Sequence, residues 1–272
     1  MTSQQRSISI LGCGWLGKPL AEHFIGQRWR VLGSTTSTKK IDILEKSGIE
    51  AFQIVADGRS ELNTPEFFES EILVINVPPV RSQDIEQLYP VQTKQIINAA
   101  NQGKVRKLIF IGSTSVYAAQ NQVADEMDKS SPDKASGKAL LAAEKTVKDQ
   151  FKGEWCILRF CGLMGPDRHP GRFFQGRREI DGGKAPVNFI HLHDCIGLID
   201  AIIEKNLWNK VYNACAEEHP LKSEFYKKAA LALGLEPPDF LPNEGKFKKV
   251  DSSLIKKESG YQFKYPDPSQ AL

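Results

Sequence analysis

The feature that most constrains this chain is a regular alternation of short apolar runs and helical segments over roughly its first 160 residues. The apolar runs occupy residues 7–11, 30–33, 51–55, 72–77, 108–111 and 155–158. Helical segments lie between them, at 17–24, 41–46, 85–100 and 135–151. Runs that are continuously apolar indicate strands of a parallel sheet that is covered on both faces. The sequence therefore predicts an α/β fold with a doubly wound parallel sheet.

The chain is predicted to continue into a second, smaller lobe. Six strands in doubly wound order would complete a domain near residue 162, so residues 1–162 are assigned to the larger domain. The segment 162–186 is rich in Gly, Pro and Arg, and helical stretches at 194–205 and 223–233 flank a short strand at 211–214. We predict that residues 163–272 form a C-terminal substrate-binding lobe, which fits a chain of 272 residues.

Composition excludes several classes of protein. The net charge is +3, from 36 Lys+Arg against 33 Asp+Glu, and this balance predicts no nucleic-acid partner. No apolar run approaches the roughly 20 residues that a membrane span needs, so no membrane association is expected. The five cysteines form no CxxC pair, which predicts a cytoplasmic protein without a disulfide framework. The sequence leaves the oligomeric state open, with a homodimer among the candidates.

A glycine-rich loop follows the first strand and opens the first helix. It matches GxGxxG over Gly12-Cys13-Gly14-Trp15-Leu16-Gly17. In such a loop the first glycine allows a tight turn, the second lets a pyrophosphate approach the backbone, and the third lets the helix pack on the sheet. Gly12, Gly17 and Lys18 also match the start of a P-loop, but Pro19 replaces the Ser or Thr that would bind Mg²⁺. The loop therefore favours a dinucleotide-binding Rossmann domain over a nucleotide kinase or ATPase.

The end of the second strand bears on the choice of dinucleotide. Enzymes that use NAD place an acidic residue here to bind the ribose 2′-OH. This chain has Gly33, Ser34 and Thr35 instead, followed by Lys39, and no carboxylate precedes Asp42. We predict NADP as the cofactor, with NAD as the alternative; a solvated loop that opens a helix is the structural alternative for the same residues.

The cofactor site is predicted to include further residues around the glycine loop. Trp15 and Leu16 belong to the loop itself, Val77 ends the fourth strand, and Pro78 follows it. Asp57, after the third strand, would accept a hydrogen bond from the adenine amino group or would serve as a turn residue.

Three further segments carry a family resemblance. Residues 107–117 resemble the fifth strand of extended short-chain dehydrogenases/reductases, which ends in a serine-rich turn and Val-Tyr. Residues 157–166 resemble the sixth strand and its Leu-Arg to Gly-Pro loop. Residues 188–194 are similar to the Asn-Phe-Ile-His-Val-Asp-Asp signature of the NAD-dependent epimerase/dehydratase group. The resemblance covers nearly the whole chain and implies a Rossmann domain with a small lobe that binds sugar nucleotides or similar metabolites.

The sequence departs from that family in its glycine spacing and in its catalytic pair. Extended members usually carry GxxGxxG, whose first glycine falls on Leu11, and atypical members vary at this point. The resemblance places Ser136 at the position of the family's catalytic Tyr and Leu140 at that of its Lys, and residues 118–150 contain no tyrosine. Ser113 matches the family's catalytic Ser, which hydrogen-bonds the substrate oxygen. The alternative is that its hydroxyl only forms hydrogen bonds with backbone groups of the turn.

Without the pair, proton transfer would need another group. The candidates are Ser113, a lysine, a bound water or Tyr117. Lys134 and Lys138 share a face of one helix, where a solvated surface is the expected role and contact with the cofactor's ribose the alternative.

Two other groups of residues are candidate sites. The basic segment that contains Arg172 and Arg177 is predicted to bind an anionic substrate, with a solvated loop as the alternative. His191 and His193 would suit a metal, but we expect none, and Asp194 is predicted to cap the following helix. Cys156 and Cys161 are expected to be small buried hydrophobic residues.

The sequence thus predicts an NAD(P)-binding oxidoreductase or epimerase-like protein, of the atypical short-chain dehydrogenase type. Its substrate is expected to be a small anionic metabolite such as a sugar nucleotide. The alternative is a non-catalytic NADP(H)-binding sensor or regulatory protein, which the loss of the Tyr-x-x-x-Lys pair favours.

Overall fold

The computed structural model describes residues 5–80 and 82–272. The strands are β1 (Ser7–Leu11), β2 (Arg30–Thr35), β3 (Glu50–Gln53), β4 (Ile72–Ile75), β5 (Lys107–Ser113), β6 (Gln122–Ala124), β7 (Glu154–Phe160), β8 (Gly162–Met164), β9 (Phe189–His191), β10 (Lys210–Ala214) and β11 (Lys248–Val250). The helices are α1 (Gly17–Gly26), α2 (Ile41–Lys46), α3 (Ile85–Gln102), α4 (Ala135–Gln150), α5 (Leu192–Glu204), α6 (Lys222–Ala232) and α7 (Ser253–Ser259). Within the described ranges, no helix combines the length and the apolar character that a membrane crossing requires.

The central sheet is parallel and has seven strands, in the order β10-β7-β5-β4-β1-β2-β3. The register aligns Ile8 of β1 with Val31 of β2 on one side and with Ile72 of β4 on the other. The inner strands are buried because their continuous apolar runs are covered from both faces; Ile8, Leu73 and Leu108 are fully buried. The order reverses between β1 and β4, where doubly wound sheets bind their ligands.

The fold class is confirmed, but two details of the sequence prediction are wrong. The sheet has seven strands rather than six, because the short strand that was assigned to the second lobe is β10 and pairs beside β7. Its five residues, Lys210–Ala214, give no local signal that distinguishes a sheet strand from an isolated one. The third strand is also displaced, to Glu50–Gln53 from the expected 51–55.

The described chain groups into two compact units. Among the described residues, unit 1 consists of those up to 116 together with 133–158 and 206–211, and unit 2 of residues 117–132, 159–205 and 212–272. In unit 1, α1 covers the sheet with the buried side chains of Leu20, Ala21 and Phe24. The division at residue 162 into a cofactor domain and a substrate lobe stays a prediction about binding roles.

Unit 2 has an aromatic core of its own. Met164, Val187, Phe189, Phe225 and Tyr226 form a buried cluster, and Phe189 stacks on Phe225 with ring centroids 5.0 Å apart. Two small parallel pairs, β6 with β11 and β8 with β9, connect distant parts of this unit. These pairs hold together loop segments that have little regular structure.

Candidate dinucleotide-binding site

The glycine loop lies between β1 and α1, and its first and third glycines are required by packing. Gly12 has φ +102°, and a Cβ there would lie 2.8 Å from the backbone oxygen of Asn76. A Cβ on Gly17 would overlap the carbonyl oxygen of Gly12. Both contacts are with backbone, which cannot move aside, so a side chain at either position would deform the turn.

Gly14 is required by nothing in the protein itself. Apart from Gly14 itself and its two neighbours in the chain, no heavy atom of the described residues lies within 4 Å of the position that its Cβ would take, and its φ is not in the left-handed region. In the part of the chain that the structure describes, no side chain caps the start of α1 and no acidic residue lies in its first turn. A helix N-terminus of this kind offers N–H donors and a positive dipole end to an anion. The loop therefore fits a pyrophosphate that lies against Gly14.

Two side chains from neighbouring strands fix the loop. The Ser34 hydroxyl accepts a hydrogen bond from Gly12 N at 3.0 Å, and Ser34 O accepts one from Cys13 N at 2.7 Å. Asn76 Nδ2 donates to Gly12 O at 2.9 Å. Ser34 is buried, so the structure shows it as a support of the loop. Asn76 is not among the predicted site residues, and its only signal in the sequence is that it is a polar residue near the end of the apolar run 72–77.

The end of β2 shows why position 33 carries no acidic residue. A Cβ on Gly33 would lie 2.5 Å from Ile49 Cγ2 and 2.6 Å from Cys13 Sγ. A side chain here would require Ile49 or Cys13 to shift, so packing accounts for the glycine at this position whatever the cofactor is. Any signal for the choice of cofactor must come from the residues after Gly33. There, Thr35 Oγ1 accepts a hydrogen bond from Ser37 N at 3.2 Å, and Lys39 is exposed.

The other predicted cofactor residues have local partners. Asp57 Oδ1 accepts hydrogen bonds from Arg59 N at 2.8 Å and Ser60 N at 3.4 Å, so Asp57 stabilises a turn, and its contact with adenine stays a prediction. The hydrogen bond from Arg59 N is the main cause that lowers the pKa of the Asp57 carboxyl. Val77 O accepts a hydrogen bond from Tyr89 OH at 2.7 Å, whereas Pro78 is exposed.

Ser113 ends β5, and the positions of the family's catalytic pair lie on α4. Ser113 Oγ is half-buried and accepts a hydrogen bond from Ser115 N at 3.2 Å, which leaves its O–H proton to be donated. Ser136 is half-buried, and Leu140 is 5% exposed. Leu140 therefore belongs to the core of unit 1, where an ammonium group would be costly to bury.

Tyr117 is held in a buried polar network of unit 2. Its hydroxyl donates to Asn213 Oδ1 at 3.0 Å and accepts from Arg159 Nη1 at 2.6 Å. Burial raises the pKa of Tyr117, and the Arg159 charge opposes that rise. The phenol is 3% exposed. Both hydrogen-bonding roles of the hydroxyl are thus taken, which counts against Tyr117 as the substitute proton donor.

The predicted anion-binding arginines lie at the surface of unit 2. Arg172 and Arg177 are exposed, and the Arg177 guanidinium lies 5.6 Å from the centre of the Phe174 ring. The neighbouring Arg178 forms an ion pair with Glu236.

The prediction that Asp194 caps α5 is wrong. His191 is the N-cap, and its Nδ1 accepts from His193 N at 3.2 Å. Asp194 is fully buried and accepts from Tyr261 OH at 2.9 Å, Lys264 N at 2.7 Å and Tyr265 N at 3.2 Å. Asp194 therefore holds a C-terminal segment.

Two other features of unit 2 bear on the predicted sites. The imidazole rings of His191 and His193 stack with centroids 5.0 Å apart. Among the described residues, no three His, Cys, Asp or Glu side chains gather as a metal site.

The cysteine prediction also requires correction. Cys161 forms a disulfide with Cys215, 54 residues away, and is therefore not merely a buried hydrophobic residue. Spacing alone gave no indication of this pair. Cys156 is a buried free cysteine, as expected.

Comparison with known proteins matches most of this chain to a family and to a relative of similar length. Residues 8–215 match the model of the NAD dependent epimerase/dehydratase family. Protein YeeZ of Escherichia coli (strain K12) is 34% identical over 268 residues, which cover 97% of either chain.

Solved structures share the fold at low sequence identity. A UDP-glucuronic acid 4-epimerase from Bacillus cereus in complex with NAD superposes with a TM-score of 0.79 at 21% identity, over 97% of this chain and 96% of that one. A UDP-N-acetylglucosamine 4-epimerase from the same organism gives 0.80 at 16% identity, over 98% and 94%. The family match spans most of the chain, and it includes the glycine loop, β5 and the start of α5. The chain therefore belongs to the NAD dependent epimerase/dehydratase family.

Proposed function

We propose that this protein binds NADP(H) at the glycine loop of unit 1 and acts as an oxidoreductase or epimerase on a sugar nucleotide or a similar anionic metabolite. The observation that carries the proposal is the contrast between the three glycines. Gly12 and Gly17 are required by packing within the protein, whereas Gly14 is crowded by nothing there. A glycine in an open position, next to an uncapped helix N-terminus, is explained by a ligand that approaches the backbone.

The preference for NADP rests on charge after β2. Residues 34–41, which lie beyond the packed Gly33, contain no carboxylate. Lys39 and Lys40 are exposed on the turn that follows, where they can meet a 2′-phosphate. NAD remains the alternative, since the family as a whole depends on NAD and the Bacillus cereus epimerase was solved with it.

The chemistry proposed for this chain does not use a Tyr-x-x-x-Lys pair. A bound nicotinamide would supply hydride transfer. The Ser113 hydroxyl supplies a hydrogen-bond donor for a substrate oxygen at the end of β5. Ser136 cannot replace a phenol, since an aliphatic hydroxyl stays protonated near neutral pH, and Leu140 carries no charge to assist it.

The substrate class is proposed from the relatives and from surface charge. Two of the solved relatives are epimerases named for UDP-glucuronic acid and UDP-N-acetylglucosamine. Arg172 and Arg177 are exposed cations in unit 2, and an arginine side chain suits a diphosphate or a carboxylate.

Calorimetric titration with NADPH and NADH tests the cofactor site. Gly14→Val should keep the fold, because its Cβ meets open space, and should weaken binding at least 100-fold by occupying the place of the pyrophosphate. Gly26→Val is the matched control, because Gly26 also faces open space among the described residues but lies at the far end of α1. Equal affinity of the folded Gly14→Val and Gly26→Val proteins would refute the assignment.

A non-catalytic sensor is the second candidate, and the buried Leu140 favours it. The position that resembles the family's Lys is a leucine in the core, which supports the proposal that the ordinary proton path is lost. Incubation with NAD(P) and a panel of UDP-sugars, followed by product chromatography, separates the two candidates. Turnover that Ser113→Ala abolishes and Ser136→Ala leaves intact would support the enzyme. Tight NADP(H) binding without turnover of any sugar nucleotide would support the sensor.

A further inference from the structure

Two cysteines of unit 2 occupy equivalent positions on neighbouring strands. Cys161 directly follows β7 and Cys215 directly follows β10, and these strands are adjacent in the sheet. Their Cα atoms are 5.2 Å apart, within the usual range for a disulfide, and the two residues are bonded. Neither residue is used by the chemistry proposed above.

The backbone around the pair is held in place without the disulfide. Cys161 N donates to Ala214 O at 3.0 Å, which continues the pairing of the two strands. The Ser252 hydroxyl donates to Cys215 O at 2.9 Å. These hydrogen bonds do not involve sulfur, so they persist when the S–S bond is broken. The two thiols of the reduced protein would therefore stay within reach of each other, and the bond can form and break with little rearrangement.

The other cysteines are poorly suited to thiol exchange. Cys13, Cys156 and Cys195 are buried free thiols. Burial raises the pKa of Cys13 to about 12 and raises those of Cys156 and Cys195 as well. Because the thiolate is the reactive form, these three residues should stay reduced and unmodified in the folded protein.

We propose that Cys161–Cys215 is a reversible redox site that exchanges with a small thiol such as glutathione, and that Cys161 is the sulfur under attack. Both residues are buried, and Cys161, which is 5% exposed, is the more accessible of the two because Cys215 is fully buried.

The exchange proceeds in two balanced steps. The glutathione thiolate forms a bond to Cys161 Sγ, the S–S bond breaks, and Cys215 leaves as a thiolate that takes up a proton. A second glutathione thiolate then attacks the glutathione sulfur of this mixed disulfide. Cys161 is released as a thiol, and glutathione disulfide is the oxidised product. Oxidation follows the same steps in reverse, with glutathione disulfide as the oxidant.

The redox state should change the stability of unit 2. The bond joins residues that are 54 apart in sequence, and the segments that leave these cysteines lead into β8 and towards α6. Closing a chain of this length restricts the unfolded state, and on the entropic estimate it lowers the unfolding equilibrium constant on the order of 10³-fold. Reduction should therefore leave the fold intact and increase amide hydrogen exchange just after Cys161 and Cys215.

Thiol counting in glutathione buffers tests reversibility. The folded protein is equilibrated with mixtures of glutathione and glutathione disulfide, quenched in acid, denatured and alkylated. Three cysteines should be alkylated under oxidising conditions and all five under reducing conditions, with unchanged circular dichroism. Five alkylated cysteines in glutathione disulfide would overturn the proposal, because the disulfide would then not form. Three alkylated cysteines in excess glutathione would also overturn it, if the disulfide is reduced only after the protein is denatured.

Single variants test which sulfur is attacked. With glutathione disulfide, Cys215→Ser should acquire one glutathione on Cys161, as located by peptide mass spectrometry, whereas Cys161→Ser should acquire at least tenfold less on Cys215. Cys156→Ser, in the buried part of β7, is the control and should behave like the parent protein. Equal or preferential modification of Cys215 would refute the assignment of Cys161.

Discussion

Asp194 provides a sharp test, because two structural roles predict opposite results for the same substitution. Asn is as good an N-cap as Asp, so Asp194→Asn would cost little if this residue capped α5. In the structure the carboxylate is buried and accepts three hydrogen bonds from residues 261–265. Oδ1 receives two of them and Oδ2 receives the third, from Tyr265 N.

The loss of unfolding free energy in Asp194→Asn follows from the way the three hydrogen bonds are divided between the two oxygens. An Asn side chain keeps an acceptor for Tyr261 OH and Lys264 N, but it turns an N–H₂ donor towards the N–H of Tyr265. Hydrogen bonds to a charged acceptor contribute about 1.5–3 kcal/mol each, so the loss of one and the weakening of two should cost about 2–4 kcal/mol of the free energy of unfolding. Asp194→Ala removes all three and should cost about 4–5 kcal/mol.

Urea unfolding, followed by circular dichroism, measures these costs, and amide hydrogen exchange locates them. Exchange should rise at residues 261–265 in both variants. Tyr261→Phe, which removes one donor and leaves the carboxylate in place, is the matched control and should cost about 1–2 kcal/mol. A change of about 0.5 kcal/mol or less in the free energy of unfolding, the usual range for a neutral surface substitution, would show for Asp194→Asn that the carboxylate does not hold residues 261–265.

Three further predictions follow from the geometry. Gly33→Asp should not change the cofactor preference to NAD. It should destabilise unit 1 by about 1–3 kcal/mol, as measured in a thermal melt, because its side chain would overlap Ile49 and Cys13. An unchanged melting temperature would contradict this prediction. Burial lowers the pKa of His191 to about 4, below the unfolded value of about 6.5, so its contribution to stability is present above pH 6.5 and is lost as the pH falls towards 4. His191→Gln should therefore show a smaller loss of unfolding free energy between pH 7 and pH 5 than the parent, and equal losses would exclude His191 as a cause. Tyr117→Phe should cost about 1–3 kcal/mol in urea unfolding, because Arg159 loses a buried acceptor, and a neutral result would show that the network is not needed.

The inner strands of the central sheet and the glycine loop could be predicted from local sequence, because their signals span only a few residues. Continuous apolar runs predicted the inner strands close to their observed bounds. The glycine loop was recognisable because a tight turn, a close backbone approach and a close helix each demand glycine at fixed spacing. Gly12 and Gly17 are required by the contacts that this pattern implies.

Tertiary structure alone decided the features that depend on partners distant in sequence. β10 belongs to the central sheet because β7 pairs with it, and the role of Asp194 comes from residues about 70 positions later in the chain. Asn76 holds Gly12 across 64 residues, and Cys161 meets Cys215 across 54. Gly33 was interpreted as a cofactor signal, yet its small size is imposed by Ile49 and Cys13. The sequence gives each side chain's volume and its hydrogen-bond donors and acceptors. Which residues contact that side chain depends on how the chain packs.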